Sequence, residues 1–139
     1  MRKGDIMAYT QMEAAASGVI TRELREAAEY EGIAPETLAI LVASGQAAIP
    51  ANRSHRSLRA RAVGRTLKTK INVNLGTSRD ACDQEAEMEK VRTALSLGAD
   101  AIMDLSSSGD TRTFRKKLIE ASPAMIGTVP AYDAVVQYA

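Results

Sequence analysis

The chain has 139 residues, of which 45% are hydrophobic and 25% are charged, close to the averages for a soluble globular domain. This composition excludes a disordered tail and a collagen-like polymer, and no uncharged stretch reaches the roughly 20 residues that cross a bilayer. A single cysteine, Cys82, excludes an internal disulfide framework, and no secretory signal is visible after Met1. We therefore expect a cytoplasmic protein.

Small side chains dominate the residues available for packing. The chain has 24 alanines but only five aromatic residues, none of them tryptophan. Because burial stabilises by roughly 25 cal/mol per Å², such a core is thin. We therefore expect the chain to depend on a larger assembly, through a partner subunit or through additional chain.

The net charge of +1 conceals a basic stretch at residues 53–70, which carries seven basic residues and no acidic one. The rest of the chain has 11 basic and 17 acidic residues, a net charge of −6. A solvated linker that pairs with the neighbouring acidic helices is the favoured interpretation, and a phosphate-bearing or nucleic-acid partner is the alternative. His55, the only histidine, lies in this stretch and is expected at the surface, with a phosphate contact as the alternative.

Two short helices are predicted before the basic stretch. Thr21 is a suitable N-cap for a helix over residues 22–30, and Gly32 supplies its end. Pro35 suits the first position of a second helix, which Gly45 ends. This second helix offers no Arg, Asn or Gln, so a helix-turn-helix that reads DNA bases is not favoured.

Strands and helices alternate beyond the basic stretch. The predicted strands cover residues 69–75, 99–105 and 123–129, and the predicted helices cover 80–97, 111–121 and 131–139. Because parallel strands need such crossovers, the alternation predicts βα units. Neither a Gly-x-Gly-x-x-Gly turn nor a P-loop follows the first strand, which favours a (βα)₈ barrel over a doubly wound sheet.

Three strands cannot close a barrel, and a typical barrel has about 250 residues. The sequence therefore predicts an α/β protein with an N-terminal helical region and basic linker over 1–66. The first three strands and helices of an incomplete (βα)₈ barrel follow over 67–139. We expect the chain to be the opening part of a larger protein, and to be poorly stable as a monomer with its last strand as an open edge.

Polar side chains at or after the predicted strands are the candidate ligand contacts, because such folds bind ligands beyond the carboxyl ends of their strands. They are Asn72, Asn74, Ser78, Asp104, Ser106, Ser107, Thr128 and Tyr132. An Asn amide suits a heterocycle or a ribose, and an Asp carboxylate suits an amine, a hydroxyl or a cation. The serines and Asp104 are equally good turn residues. Met103 is by default a core residue, and Cys82, in the first turn of the predicted helix 80–97, is treated as incidental.

Five motifs stand in an order typical of one family. They are Thr10–Ala15, Ile49–Asn52, Lys70–Gly76, Met103–Ser106 and Ile126–Tyr132. In these motifs the chain resembles the N-terminal part of the phosphomethylpyrimidine synthase (ThiC) family of thiamin biosynthesis. The resemblance covers nearly the whole chain from Tyr9 onwards.

The resemblance implies a radical S-adenosylmethionine lyase built on a (βα)₈ barrel and acting as a homodimer. It implies rearrangement of 5-aminoimidazole ribotide to 4-amino-5-hydroxymethyl-2-methylpyrimidine phosphate. By the same resemblance, Asn74, Met103 and Tyr132 contact the substrate. S-adenosylmethionine, a 4Fe–4S cluster and a zinc ion are implied as cofactors with ligands outside this chain, because one cysteine cannot hold the cluster.

Two alternatives stay open at this point. The close paralogue 5-hydroxybenzimidazole synthase, of anaerobic cobamide biosynthesis, uses the same substrate, and the sequence does not separate the two products. A small phosphate- or nucleic-acid-binding module is the alternative of another class, motivated by residues 53–70. In either enzyme this chain alone is expected to be inactive.

Overall fold

The computed structural model describes residues 10–138, which form two compact units. The described residues up to Pro50 and the segment Ala60–Lys68 form the first unit, and the segment Ala51–Arg59 and the residues from Thr69 onwards form the second. Among these residues, no helix has both the length and the apolar character needed to cross a membrane. Each unit is described separately below.

The first unit consists of three helices and a short antiparallel pair of strands. The helices are α1 (Gln11–Ala16), α2 (Arg22–Glu31) and α3 (Pro35–Ala43), and the strands are β1 (Ala47–Ala48) and β2 (Val63–Gly64). The prediction of two helices missed α1, which is too short to show a helical period. Its start is nevertheless fixed locally, because Thr10 and Glu13 form a reciprocal capping box.

The predicted starts and ends of α2 and α3 are confirmed. The Thr21 hydroxyl accepts a hydrogen bond from the Leu24 amide at 3.1 Å, and Gly32 ends α2 with a left-handed φ of 74°. Pro35 occupies the first position of α3. Both α1 and α2 contact α3. Alanines pack around a few larger aliphatic side chains in the interior of this unit, and the buried residues include Ala14, Leu24, Ala27, Ala28, Leu38 and Val42.

The second unit contains three consecutive βα pairs, as predicted. They are β3 (Asn72–Leu75) with α4 (Gln84–Ser96), β4 (Ala101–Asp104) with α5 (Thr111–Ala121), and β5 (Met125–Thr128) with α6 (Pro130–Tyr138). The strands form a parallel sheet in the order β3-β4-β5. The α/β class is therefore confirmed, and β3 and β5 are the edges of this sheet.

Helices α4 and α5 supply the apolar cover for one face of the sheet. Because side chains alternate along a strand, Leu75 and Ile102 point to this face while their neighbours Asn74 and Met103 point away from it. The covered core consists of Leu75, Met88, Val91, Ile102, Phe114, Leu118 and Ala124. The opposite face has less cover, and Asn74, Met103 and Gly127 lie on it.

The expectation that His55 lies at the surface is wrong. Only 6% of His55 is exposed, and its Nε2 donates a hydrogen bond of 2.6 Å to the Ser122 carbonyl. The Ser57 hydroxyl donates to the same carbonyl at 3.0 Å, and the Arg59 amide donates to the Pro123 carbonyl at 2.8 Å. Residues 51–59 therefore tie the amino end of β5, which is the end of a βα sheet associated with stability and not with ligands.

The start of α4 also differs from the prediction. Asp83 is the N-cap, and its carboxylate accepts from the Glu85 and Ala86 amides, both at 3.0 Å. The helix therefore begins at Gln84, and Cys82 lies in the exposed loop before it instead of in its first turn. Several residues from Asp80 onwards are polar and could serve as the N-cap of α4, and in the structure the N-cap is Asp83.

Candidate functional site

The site lies on the less covered face of the second unit's sheet. The strand register places Asn74 of β3 opposite Met103 of β4, and Met103 opposite Gly127 of β5. Residues in register on neighbouring parallel strands point to the same face, so these three form one row across the sheet. We call Asn74, Met103 and Gly127 the open-face row. The row lies one residue before the carboxyl ends of all three strands.

Asn74 is exposed on this face and its amide is oriented by a neighbour. The Asn72 Nδ2 donates a hydrogen bond of 2.9 Å to the Asn74 Oδ1. With its oxygen engaged, Asn74 presents the two N–H donors of its own amide. An acceptor such as a ring nitrogen or a ribose hydroxyl would satisfy them. Asn72 therefore acts as the group that fixes which end of the Asn74 amide faces a ligand.

Met103 is half-buried and its side chain lies against Gly127. A Cβ atom added to Gly127 would lie 2.8 Å from the Met103 Cε and 2.9 Å from its Sδ, closer than such atoms approach in proteins. The absent side chain at Gly127 therefore provides the space that the Met103 thioether occupies. The default expectation of a core methionine is wrong, because the residue on the covered face of β4 is its neighbour Ile102.

Tyr132 stands apart from the open-face row. It belongs to the first turn of α6, four residues past the end of β5, and 43% of it is exposed. Its amide donates a hydrogen bond of 3.0 Å to the Val129 carbonyl, within the turn that joins β5 to α6. The structure thus brings Asn74 and Met103 together in register and puts Tyr132 on the helix that leaves the carboxyl end of β5.

Asp104 has no free carboxylate oxygen to offer a ligand. It is completely buried, its Oδ1 accepts from the Ser106 amide at 2.9 Å, and its Oδ2 accepts from the Arg115 Nε at 2.6 Å. The same guanidinium donates through Nη1 to Asp133 of α6. This hydrogen bond holds the pKa of the Asp133 carboxyl below its usual value. These contacts agree with the interpretation of Asp104 as a structural turn residue, the alternative to a ligand contact.

The two candidate serines after β4, Ser106 and Ser107, also bond within the protein. The Ser106 hydroxyl accepts from the Thr77 amide at 3.1 Å, and the Ser107 amide donates to the Thr77 carbonyl at 2.8 Å. The Thr77 hydroxyl donates to the Ser108 carbonyl at 2.6 Å. These bonds join the loops that follow β3 and β4. Ser78 forms its own turn with Ala81, whose amide donates to the Ser78 hydroxyl at 3.2 Å.

Close approach between these loops requires a glycine at position 76. Gly76 has a φ of 148°, and a Cβ there would lie 2.5 Å from the Ser106 amide nitrogen. Both its conformation and its surroundings therefore exclude a side chain. The Gly76 amide donates to the buried Glu87 carboxylate at 2.9 Å, which ties the end of β3 to α4.

Three contributors to this site were not found from the sequence. Gly127 carried a signal, because a glycine inside an apolar strand often marks the close approach of another group. Arg115 and Asp133 carried none, since they are 18 residues apart in the chain and meet only through the fold.

The described residues do not fit a metal centre. Among residues 10–138, no three His, Cys, Asp or Glu side chains gather closely enough to hold a metal ion. Cys82, the single cysteine, is exposed and lies outside the open-face row. A 4Fe–4S cluster needs three or four thiolates, which this region does not offer.

A parallel βα sheet with helices between its strands defines an α/β protein, a class that binds ligands beyond the carboxyl ends of its strands. Comparison with known proteins identifies the family to which this chain belongs. The sequence profile of the Radical SAM ThiC family matches residues 10–139, and the chain belongs to that family.

Curated relatives agree with this assignment. A phosphomethylpyrimidine synthase from Alkaliphilus metalliredigens (strain QYMF) is 58% identical over 129 residues, which are 93% of this chain and 30% of the relative. The synthase from Clostridioides difficile (strain 630) is 56% identical over 126 residues, which are 91% of this chain and 29% of the relative. The synthase from Pelotomaculum thermopropionicum is 56% identical over 129 residues. The chain thus spans less than a third of the length of these relatives.

Proposed function

We propose that this chain supplies one wall of the substrate site of a phosphomethylpyrimidine synthase. The substrate is 5-aminoimidazole ribotide and the product is 4-amino-5-hydroxymethyl-2-methylpyrimidine phosphate. Asn74, Met103 and Tyr132 contact the substrate. Family membership and the names of the relatives support the reaction, and the geometry of the second unit supports the site.

The observation that carries the site is the register of β3 and β4. Asn74 and Met103, 29 residues apart in the chain, stand next to each other on the face that α4 and α5 leave open. One offers N–H donors and the other a polarisable thioether, a pair that suits the polar edge and the flat face of an aminoimidazole ring. Tyr132 adds an aromatic ring and a hydroxyl from the carboxyl end of β5.

We also propose that β3, β4 and β5 are the first three strands of a (βα)₈ barrel with the open face towards its interior. A groove of about 650 Å³ runs beside the unpaired edge of β3 and supports this. Its lining includes Ile71 and Val73 of the strand edge and Leu97 at the end of α4, of which 83% is exposed. A further strand and helix packed there would cover these apolar groups, as barrel closure requires.

The cofactors belong to parts of the enzyme other than the described residues. A radical S-adenosylmethionine enzyme uses a reduced 4Fe–4S cluster to cleave S-adenosylmethionine, and zinc is proposed as a further metal of this enzyme. Since residues 10–138 offer no such cluster site, we assign them substrate binding alone and expect the chain by itself to be inactive. We also propose that the complete enzyme is a homodimer.

The test uses a chimaeric synthase, in which residues 10–138 of this chain replace the matching region of the Alkaliphilus metalliredigens enzyme. The two regions are 58% identical, so the chimaera is expected to fold and to assemble its cluster. We expect it to bind 5-aminoimidazole ribotide and, without oxygen, to convert it to the pyrimidine phosphate. Substrate affinity is measured by calorimetry and product by mass spectrometry.

Two results would contradict the proposal. A folded, cluster-loaded chimaera that neither binds nor converts 5-aminoimidazole ribotide would remove the substrate assignment. Release of 5-hydroxybenzimidazole would instead assign this region to the paralogous enzyme, 5-hydroxybenzimidazole synthase. We do not propose a phosphate- or nucleic-acid-binding module. The basic stretch is divided between the two units, and Arg61 and Lys68 lie over the Tyr30 ring.

A further inference from the structure

One arginine connects the residues that follow two of the proposed substrate contacts. Asp104 is next to Met103 in the chain, and Asp133 is next to Tyr132. The Arg115 guanidinium donates to both carboxylates, through Nε to Asp104 and through Nη1 to Asp133. We call Asp104, Arg115 and Asp133 the Arg115 bracket.

The Asp104 end of the bracket is rigid. Asp104 is completely buried and its second oxygen is held by the Ser106 amide at 2.9 Å. Only 17% of the Arg115 side chain is exposed. A planar guanidinium that donates to two carboxylates has little rotational freedom, unlike a lysine ammonium. The position of Arg115 is therefore determined by β4, the strand that carries Met103.

The other end of the bracket holds the first turn of α6. Asp133 accepts from Arg115 through Oδ2 and from the Thr111 hydroxyl through Oδ1 at 3.1 Å. Both carboxylate oxygens are therefore bound by α5. Tyr132 and Val135 of α6 are exposed, so burial of these side chains contributes little to holding the helix. The hydrogen bonds from Thr111 and Arg115 therefore connect this turn to α5.

We propose that Arg115 and Asp133 are positioning residues that set the place of Tyr132 relative to the open-face row. The proposal rests on the proposed function, because it concerns how a substrate contact is held. The bracket couples β4 to α6, so Met103 and Tyr132 keep a fixed relation at the carboxyl end of the sheet. Neither Arg115 nor Asp133 needs to touch the substrate for this role.

The test measures the affinity of the chimaeric synthase for 5-aminoimidazole ribotide by calorimetry. Asp133→Asn removes the charge from the α6 end and leaves the buried Asp104–Arg115 pair intact, so the protein is expected to fold. Since small misplacements of a contact have large effects, we expect about tenfold weaker binding. Arg115→Lys, which keeps the charge but cannot donate in two fixed directions, is expected to weaken binding by a similar factor.

The decisive measurement repeats both substitutions in a Tyr132→Ala background. If the bracket acts through Tyr132, the effect of Asp133→Asn disappears once the tyrosine side chain is gone, and the two changes are not additive. A role in stability alone would leave the effect of Asp133→Asn the same in both backgrounds. Asp110→Asn is the matched control, because Asp110 caps α5 at the Thr113 amide and, within the described part of the chain, makes no bond to α6. We expect it to leave substrate affinity unchanged.

Each outcome has one meaning. Loss of affinity on Asp133→Asn that vanishes in the Tyr132→Ala background supports the bracket. Unchanged affinity on Asp133→Asn, or a loss that persists without Tyr132, overturns the bracket while the proposed site stands. Unchanged affinity on Tyr132→Ala itself overturns the positioning role and removes Tyr132 from the proposed substrate contacts, while Asn74 and Met103 stay in the proposed site.

Discussion

The two faces of the β3-β4-β5 sheet are built from the same three strands but differ in almost every physical property. On the covered face, Leu75 and Ile102 pack with Phe114 and Leu118 into a continuous apolar core. On the open face, Asn74 is exposed, Met103 is half-buried and Gly127 has no side chain. Alternation along a strand separates the two by a single residue.

In the proposed site, this difference between the faces separates stability from substrate binding. The covered face carries the apolar area whose burial stabilises the second unit, and the open face is left for groups that a ligand would meet. Substitutions one residue apart should therefore have different consequences. Those on the covered face should lower the free energy of unfolding, and those on the open face should lower substrate affinity.

The largest effect is expected at Ile102. Ile102→Ala removes methyl groups from a completely buried position and leaves a cavity, which should lower the free energy of unfolding by about 2–5 kcal/mol. Met103→Ala, one residue along the same strand, is the matched control and should have a clearly smaller effect because Met103 is half-buried. Urea titration of the chimaeric synthase measures both. Equal losses would mean that the faces do not differ in this way.

A slightly smaller loss is expected at Gly76. Gly76→Ala places a Cβ 2.5 Å from a backbone nitrogen that cannot move aside easily, at a φ that alanine rarely adopts. Strain of this kind costs about 1–3 kcal/mol. Gly98→Ala is the control with a positive φ but with nothing within 4 Å of its added Cβ. The difference between the two, measured by urea titration, isolates the clash with the loop after β4, and equal losses would mean that this clash has no cost.

Local features of the sequence predicted much of the fold. The N-cap at Thr21, the left-handed Gly32, Pro35 at a helix start and the alternation of the β3 residues each depend on neighbours within a few positions. The three parallel βα pairs followed from the same local signals. Local signals could not reveal the environment of His55, because its partner Ser122 is 67 residues away. A lone histidine in a basic stretch gives no hint of a buried carbonyl.

The candidate site was predictable to a different extent. Asn74 and Tyr132 were candidates by their positions at or after the predicted strands, and the family resemblance then selected them. Met103 came from the resemblance alone, because residue spacing assigned it to the core. The register that pairs Asn74 with Met103 depends on hydrogen bonds between strands, which a single sequence does not specify. Two candidates chosen by position, Asp104 and Ser106, are engaged by other parts of the protein. Their partners on α5 and in the β3 loop are set by the tertiary fold.

A loss of affinity without a loss of stability is expected at Asn74. Asn74→Ala removes the proposed hydrogen-bond partner of the substrate, which should cost about 1–3 kcal/mol, or roughly 5- to 150-fold in affinity. Asn74 is exposed in the structure, so the free energy of unfolding should change little. Calorimetry on the chimaeric synthase measures the affinity. Wild-type affinity in this variant would remove Asn74 from the site.

Asn72→Ala sharpens the same comparison. Asn72 contacts Asn74 through its own amide, and its removal frees the Asn74 side chain to rotate. We expect a loss of affinity that is smaller than for Asn74→Ala and that disappears when Asn74 is already alanine. A loss that persists in the Asn74→Ala background would instead indicate that Asn72 contacts the substrate directly.

The smallest effect, about fivefold in affinity, is expected at Gly127, where one added methyl group tests the open face without removing any group. Gly127→Ala places a Cβ 2.8 Å from the Met103 Cε and 2.9 Å from its Sδ. Both atoms are at the far end of a flexible side chain, so Met103 can move aside at little cost in stability. The thioether then leaves the position from which it is proposed to contact the substrate, and affinity falls.

In a Met103→Ala background the methyl group meets no thioether, so Gly127→Ala should have no further effect on affinity. A fall in affinity that persists there would show that the methyl group obstructs the substrate directly, and this would contradict the proposed contact of Met103 with the substrate.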